Sequence, residues 1–221
     1  MNPRTLAAAS LALVTAACSA QYSSVFVADA CTPPTPDSTT GACVYSATCD
    51  SVLASQPRLD ASVATGDFRL PLEIDNSLAD NSSAPNGTVN TNDAFVQSFE
   101  MQYSAGVALS PSTVAATFRV PTTGSATYVV PLIPATDFPA LAAAAGSGTL
   151  DVIVNVRAKG ILASQSSFTT AWFQVPVRVC NYCLQSVCPV GTTFTASCPP
   201  APYGATSPGQ TAQVACTAAA P

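Results

Sequence analysis

Between residues 67 and 179 apolar side chains return at every second position, the period of a pleated strand with one buried face. The stretch "GDFRLPLEI" sets Phe68, Leu70, Leu72 and Ile74 against Asp67, Arg69 and Glu73. "FVQSFEMQY" sets Phe95, Phe99, Met101 and Tyr103 against Ser98, Glu100 and Gln102, and "TVAATFRV" aligns Val114, Ala116, Phe118 and Val120. "SATYVVPLI" is a more continuous apolar run. "TLDVIVNVRAKG" alternates Leu150, Val152, Val154 and Val156 and is expected to turn at Lys159-Gly160 into "ILAS". "FTTAWFQVPVRV" gathers Ala171, Phe173, Val175, Val177 and Val179 on one side. With turn-rich gaps between them, these runs predict an all-β protein: a single immunoglobulin-like antiparallel β-sandwich of about seven strands.

Proline has no N–H for a ladder, so the strands holding Pro71 and Pro176 are expected at sheet edges or bulges. One short helix is expected at "TDFPALAAAAG", with Thr136 or Asp137 as cap, Pro139 in the first turn and Gly146 at the end.

The flanks read differently. "MNPRTLAAASLALVTAACSA" opens with Arg4 and the α-amine, continues through an apolar core from Leu6 to Ala17, and ends in small residues at Cys18. That is the pattern of an export signal, too short for a permanent membrane span. Thr15-Ala16-Ala17-Cys18 resembles the lipobox of bacterial lipoproteins, with Thr15 where Leu, Val or Ile is commoner. The resemblance implies cleavage before Cys18, acylation of Cys18 (palmitate among the chains), and a membrane anchor through two or three acyl chains. Ser19 in place of Asp after that cysteine implies sorting to the outer membrane of a bacterial envelope. Cys18-Ser19-Ala20 also offers an A-x-A-like site for ordinary secretion.

The organisation expected is a signal peptide at 1–17 and a tether with a Cys/Pro-rich segment at 18–48. The sandwich follows at 49–180 and a Cys/Pro/Ala-rich C-terminal segment at 181–221. Residues 19–30 are assigned to the tether. The segment after Cys188 carries no charge, so it is expected to bury little core and to depend on its cysteines for order.

Composition removes several functions. Seven basic residues against twelve acidic ones, a net charge of −5 and a single lysine give no field for a phosphate backbone, so nucleic acid is not expected as a partner. There is no histidine, which removes Ser-His-Asp and Cys-His catalysis and every His-ligated metal centre. No GxSxG, SxxK, Walker or GxGxxG motif is present.

With Cys18 acylated, eight cysteines remain: Cys31, Cys43, Cys49, Cys180, Cys183, Cys188, Cys198 and Cys216. An even number in an exported chain reads as a disulfide framework. "CNYC" at 180–183 has no second CxxC to complete a zinc site and no βαβ setting to activate a thiol, so neither a metal nor a cofactor is expected. Three of these cysteines precede Asp50 and five follow Val179. If all eight pair, an odd number of bridges must join the two clusters. The expected bridge runs from Cys49, nearest the first strand, to Cys180 or Cys183, directly after the last.

Other candidate groups have plain alternatives. Asp75, Asp80 and Asp93, with Asn76, Asn81, Asn86, Asn90 and Asn92, form an oxygen-rich loop that could hold Ca²⁺ or simply satisfy a long turn. Glu73 and Asp75 share a strand face, either as paired acids or as solvated edge carboxylates. Trp172 is either a binding anchor or a packing residue.

From "LPLEIDNSL" through "VNVRAKGILASQSSFTTAWFQVPVRVC" the chain weakly resembles the late-embryogenesis-abundant (LEA14/WHy-type) β-sandwich, which implies architecture and no activity. The function expected is non-enzymatic: a lipid-anchored envelope protein in a structural or interaction role, with a protein partner in the envelope. The alternative is a module binding Ca²⁺ or an apolar small molecule.

Overall fold

A computed structural model describes residues 24–32, 48–62, 64, 66–81 and 91–183, and the backbone of 192–196 and 214–218. Residues 1–17, expected to form a signal peptide, and Cys18, Cys43, Cys188 and Cys198 lie outside these residues.

Two sheets form a sandwich. The smaller has the order β1 (Val25–Ala30), β3 (Phe68–Asn76), β6 (Gly124–Ile133). The larger has the order β2 (Arg58–Asp60), β9 (Phe173–Cys180), β7 (Thr149–Leu162), β4 (Ala94–Ser104), β5 (Ser112–Val120), with β8 (Ser167–Thr169) beside the far end of β7. A separate antiparallel ribbon joins β10 (Thr192–Ala196) to β11 (Val214–Ala218), placing Phe194 opposite Cys216. All pairings are antiparallel except β2 with β9, which run parallel.

The alternation in β3 is realised residue for residue. Phe68, Leu70, Leu72 and Ile74 are all fully buried between the sheets, and each contributes about 1.5–3 kcal/mol by leaving water. They belong to one continuous core with Val96, Phe99, Met101 and the inward valines of β7 and β9. Rings from both sheets meet there: Phe118 and Tyr128 stack at 4.7 Å, and Phe99 lies 5.8 Å from Tyr128. Polar links cross as well. The Tyr103 hydroxyl donates to the Leu132 carbonyl at 2.9 Å. Buried Asn76, at the end of β3, donates to Asn92 O at 2.8 Å and accepts from Leu78 N at 3.1 Å.

Several local expectations need correction. Residues 25–30, assigned to the tether, are strand β1 and pair with β3, so the sandwich begins well before residue 49. In β4 the register shifts between Val96 and Ser98. That bulge turns Phe95 outward and puts Val96 in the core with Phe99 and Met101. No turn forms at Lys159-Gly160, because β7 continues to Leu162 and the chain reverses at 163–165 instead. Gly160 serves close approach: a Cβ there would overlap the Phe95 carbonyl oxygen and lie 2.8 Å from the Phe168 ring.

Pro71 is not on an edge, since β3 is the middle strand. Its carbonyl accepts the Cys31 N–H at 2.8 Å. Its ring nitrogen therefore faces the same side, toward Cys31, one residue past the end of β1. Pro176 fits the expectation better. Strand β2 covers only Arg178–Cys180, so at Pro176 strand β9 is paired on the β7 side alone.

Helix α1 (Phe138–Ala145) follows a 3₁₀ turn at Ala135–Asp137 and buries Phe138, Leu141 and Ala145 on one face against β7 and β9. Pro139 sits in its first turn, and Gly146 ends it with a φ of 56° while donating to Ala142 O at 3.0 Å. Asp137 holds the cap position without a capping hydrogen bond from its side chain.

Candidate functional site

The chemistry-bearing side chains fall into four groups, and the topology separates them. The most buried group stands where β2 meets β9. Parallel pairing sets Asp60 opposite Cys180, and backbone bonds from Arg178 N to Pro57 O (2.8 Å) and Ala61 N to Cys180 O (2.9 Å) fix that register. Asp60 is fully buried. Its Oδ1 accepts from Ser62 N at 3.1 Å, Ser62 Oγ at 2.5 Å and Tyr182 N at 3.1 Å, so the carboxylate organises the turn after β2 and the turn after β9 together. Cys180 and Cys183 are joined by a disulfide across three residues, with Cα atoms 5.7 Å apart. Tyr182, between them, has a φ of 60°, which a non-glycine residue adopts only when its surroundings enforce it. The Asp60 oxygen and both sulfurs lie within 4.8 Å of one another.

This pairing overturns the expected connectivity. Cys49 is bonded to Cys31, with Cα atoms 5.4 Å apart, and not to Cys180 or Cys183. Residues 51–53 pair with the end of β1, through Thr32 N to Ser51 O and Leu53 N to Ala30 O, and this holds Cys49 beside Cys31. Closeness in sequence to a strand did not translate into closeness to that strand's partner.

The second group occupies the outer face of the larger sheet. Opposite one another on β4 and β7, Glu100 and Arg157 meet at 2.8 Å, and Lys159 reaches the same carboxylate at 2.5 Å. Hydrogen bonds from Lys159 and Arg157 hold the Glu100 carboxyl below its ordinary range. The Arg157 guanidinium also covers the Trp172 ring at 4.3 Å, a cation–π contact that orients both. Trp172 precedes β9 and is half-buried. Phe95 and Ile153 are exposed among the outward positions of β4 and β7.

The oxygen-rich loop is the third group, described at both ends and not over 82–90. Its described Asx residues are bound into the fold. Asn81 donates to Thr91 Oγ1 at 2.6 Å, and Asn92 donates to Ala79 O at 2.7 Å. Asp93 accepts from Thr122 N, Thr122 Oγ1 and Arg119. Burial alone would raise the Asp93 carboxyl, but the Thr122 and Arg119 hydrogen bonds and the Arg119 charge outweigh it and lower it. Asn86 and Asn90 lie outside the described residues.

Fourth, the outer face of the smaller sheet carries Asp29, Glu73 and Asp75, with Asp29 opposite Glu73 across β1 and β3. Burial, then Glu73, then Asp29 push the Asp75 carboxyl up. Two open grooves flank these groups. One of about 300 Å³ lies between Asp29, Leu53, Pro57 and Phe173, and one of about 460 Å³ between Ser24, Leu78, Leu162 and Phe168.

Asp60 is the residue that sequence reasoning missed. Only the parallel β2–β9 pair brings it to the cysteines, and a three-residue strand leaves no periodic trace. No helix among the described residues is long and apolar enough to cross a membrane. Comparison with family models, with curated proteins and with solved structures found no match for this chain.

Proposed function

We propose that this chain is a lipid-anchored envelope protein, acylated at Cys18, whose β-sandwich serves a non-enzymatic interaction role. The observation that carries the interaction reading is the outer face of the larger sheet. There Arg157 is fixed between the Trp172 ring and the Glu100 carboxylate, with exposed Phe95 and Ile153 on the same sheet. Trp and Arg are the side chains that most often anchor protein interfaces, and here they are already oriented, so binding costs less side-chain entropy. The aqueous face of a lipid-tethered sandwich is also well placed to meet another envelope protein.

Two measurements test the proposal in cells making the full-length chain. A photo-crosslinking residue at Asn155 should give a discrete protein adduct that Trp172→Ala abolishes, while one at Glu73 should give none. Equal crosslinking from both sheets would remove the assignment to this face. A fatty-acid probe should label the protein and fail to label Cys18→Ala, and persistent label in the variant would remove the anchor.

A further inference from the structure

The turn that closes β9 has the makings of a second kind of site. Cys180, Cys183 and Asp60 supply two sulfurs and a carboxylate oxygen, all within 4.8 Å of one another. Around one tetrahedral ion, metal–sulfur bonds of about 2.3 Å and metal–oxygen bonds of about 2.0–2.2 Å place neighbouring ligands less than about 4 Å apart. Once the disulfide opens, a closure of under about 1 Å from that outer limit therefore seats all three. CxxC is itself the spacing by which a tight turn presents two thiolates to one metal. The carboxylate comes with outer support, since Ser62 N, Ser62 Oγ and Tyr182 N all donate to Asp60 Oδ1 and ligating carboxylates are held in this way. Cys180 Sγ lies 3.6 Å from the Leu59 carbonyl oxygen, an acceptor for its proton in the thiol state. Cys180 is buried while Cys183 is only half-buried, so an approaching thiol reaches the Cys183 sulfur first.

We propose that Asp60, Cys180 and Cys183 form a thiolate–carboxylate site for a divalent cation of the zinc class, closed by the Cys180–Cys183 disulfide and opened by its reduction. A dithiol reductant delivers two electrons and two protons: it becomes a disulfide, and the Cys180–Cys183 bond becomes two thiols. The cation then displaces both thiol protons, binds the two thiolates and the Asp60 carboxylate, and keeps water as its fourth ligand. A disulfide oxidant reverses the sequence: it takes the two electrons from the Cys180 and Cys183 thiolates and, with two protons from water, becomes two thiols, while the Cys180–Cys183 bond re-forms and the ion is released. Two protons leave per ion bound, so affinity rises with pH.

Co²⁺ is the probe, because its thiolate complexes absorb by charge transfer. The full-length chain is reduced anaerobically with a phosphine and titrated, with a Cys180→Ser/Cys183→Ser variant reporting whatever the other cysteines bind. The parent should take up one equivalent of Co²⁺ beyond that variant, with a thiolate charge-transfer band. Cys183→Ser, on the more exposed side of the turn, should lose that equivalent. Asp60→Asn, near-isosteric, should bind at least ~10-fold more weakly, the lower end of what disturbing a ligand shell costs. A parent that binds no more than the double serine variant overturns the proposal, and so does parental affinity in either single variant. A circular-dichroism melt of each oxidised variant separates lost ligands from lost fold.

Discussion

The two sheets share one core but handle charge in opposite ways. On the larger sheet acids meet bases: Glu100 with Arg157 and Lys159, Asp93 with Arg119, and Asp151 with Arg178 at 3.0 Å. Their carboxyls are all lowered, through hydrogen bonds from those bases and from Thr122 and Gln56. On the smaller sheet Arg69 meets Asp67 only at 3.8 Å, and beside that pair acid meets acid: Asp75 is raised by burial, Glu73 and Asp29. The larger sheet draws some of its order from charge, whereas the smaller one holds together by burial and ladder bonds in spite of its acid cluster. Whatever joins the sheets, covalently or through the core, thus matters more to the smaller.

The largest effect expected is covalent. With Cys31–Cys49 and Cys180–Cys183 formed, Cys43 remains at the front of the chain and Cys188, Cys198 and Cys216 at the back. If all eight pair, Cys43 must bond one of those three, tying the segment after β1 to the segment after β9. Non-reducing peptide mapping should recover that peptide. Closing a loop of more than ~100 residues is worth about 4–5 kcal/mol in the chain-entropy view, so Cys43→Ser should lower the denaturation midpoint steeply. A free thiol at Cys43 in the native protein would rule out this bridge and leave the shared core and its polar links to hold the sheets together.

Next comes the shared core. Phe99→Ala empties a fully buried site between Phe118 of one sheet and Tyr128 of the other, and should cost about 3–5 kcal/mol in denaturant unfolding. Trp172 fluorescence and far-ultraviolet dichroism should report one coincident transition in this variant. Two separated transitions would show that the sheets do not unfold as a unit.

Charge on the larger sheet ranks third. Asp93→Ala strips the acceptor from Thr122 N–H, Thr122 Oγ1 and Arg119, at about 1–3 kcal/mol. Because the folded carboxyl is lowered, its stabilisation is full above the ordinary carboxylate range, about pH 4, and is lost as the pH falls through the folded value. The variant's melting temperature should therefore vary less with pH below ~4 than the parent's does.

The smallest change has the opposite sign. A raised folded pKa means that the fold opposes the Asp75 charge, so this site gains stability as the pH falls from neutrality through the raised value. Asp75→Asn should stabilise by about 0.2–1 kcal/mol at pH 7 and flatten that gain in a melting-temperature profile.

The sequence made β3 legible because its large apolar side chains, Phe68, Leu70, Leu72 and Ile74, stand at every second position and all face the core, with Pro71 alone interrupting the outward set. Its failures have separate physical causes. In β4 one bulge inverted the faces on either side, so Phe95 was assigned to a core it does not enter. Gly160 looked like a turn because glycine serves both turns and close backbone approaches, and sequence alone does not separate the two. Strand β1 was read as tether because it follows a stretch patterned like an export signal. As for the site, the cysteines were visible, but their pairing and Asp60 depended on contacts across the fold, made by residues 51–53 folding back on β1 and by β2 lying parallel to β9.

Pro176 has a consequence for how many copies of this chain can share a small space. Among the described residues, strand β9 has a ladder on one side only over Phe173–Val177, where the other side borders the groove lined by Leu53 and Pro57. Such a margin is a template on which a neighbouring chain can add strand after strand, and the outcome is insoluble fibre. In the middle of that margin Pro176 offers no N–H, so an incoming strand cannot complete its bonds there. Pro176 thereby puts one missing bond in the path of any strand that would add to this margin.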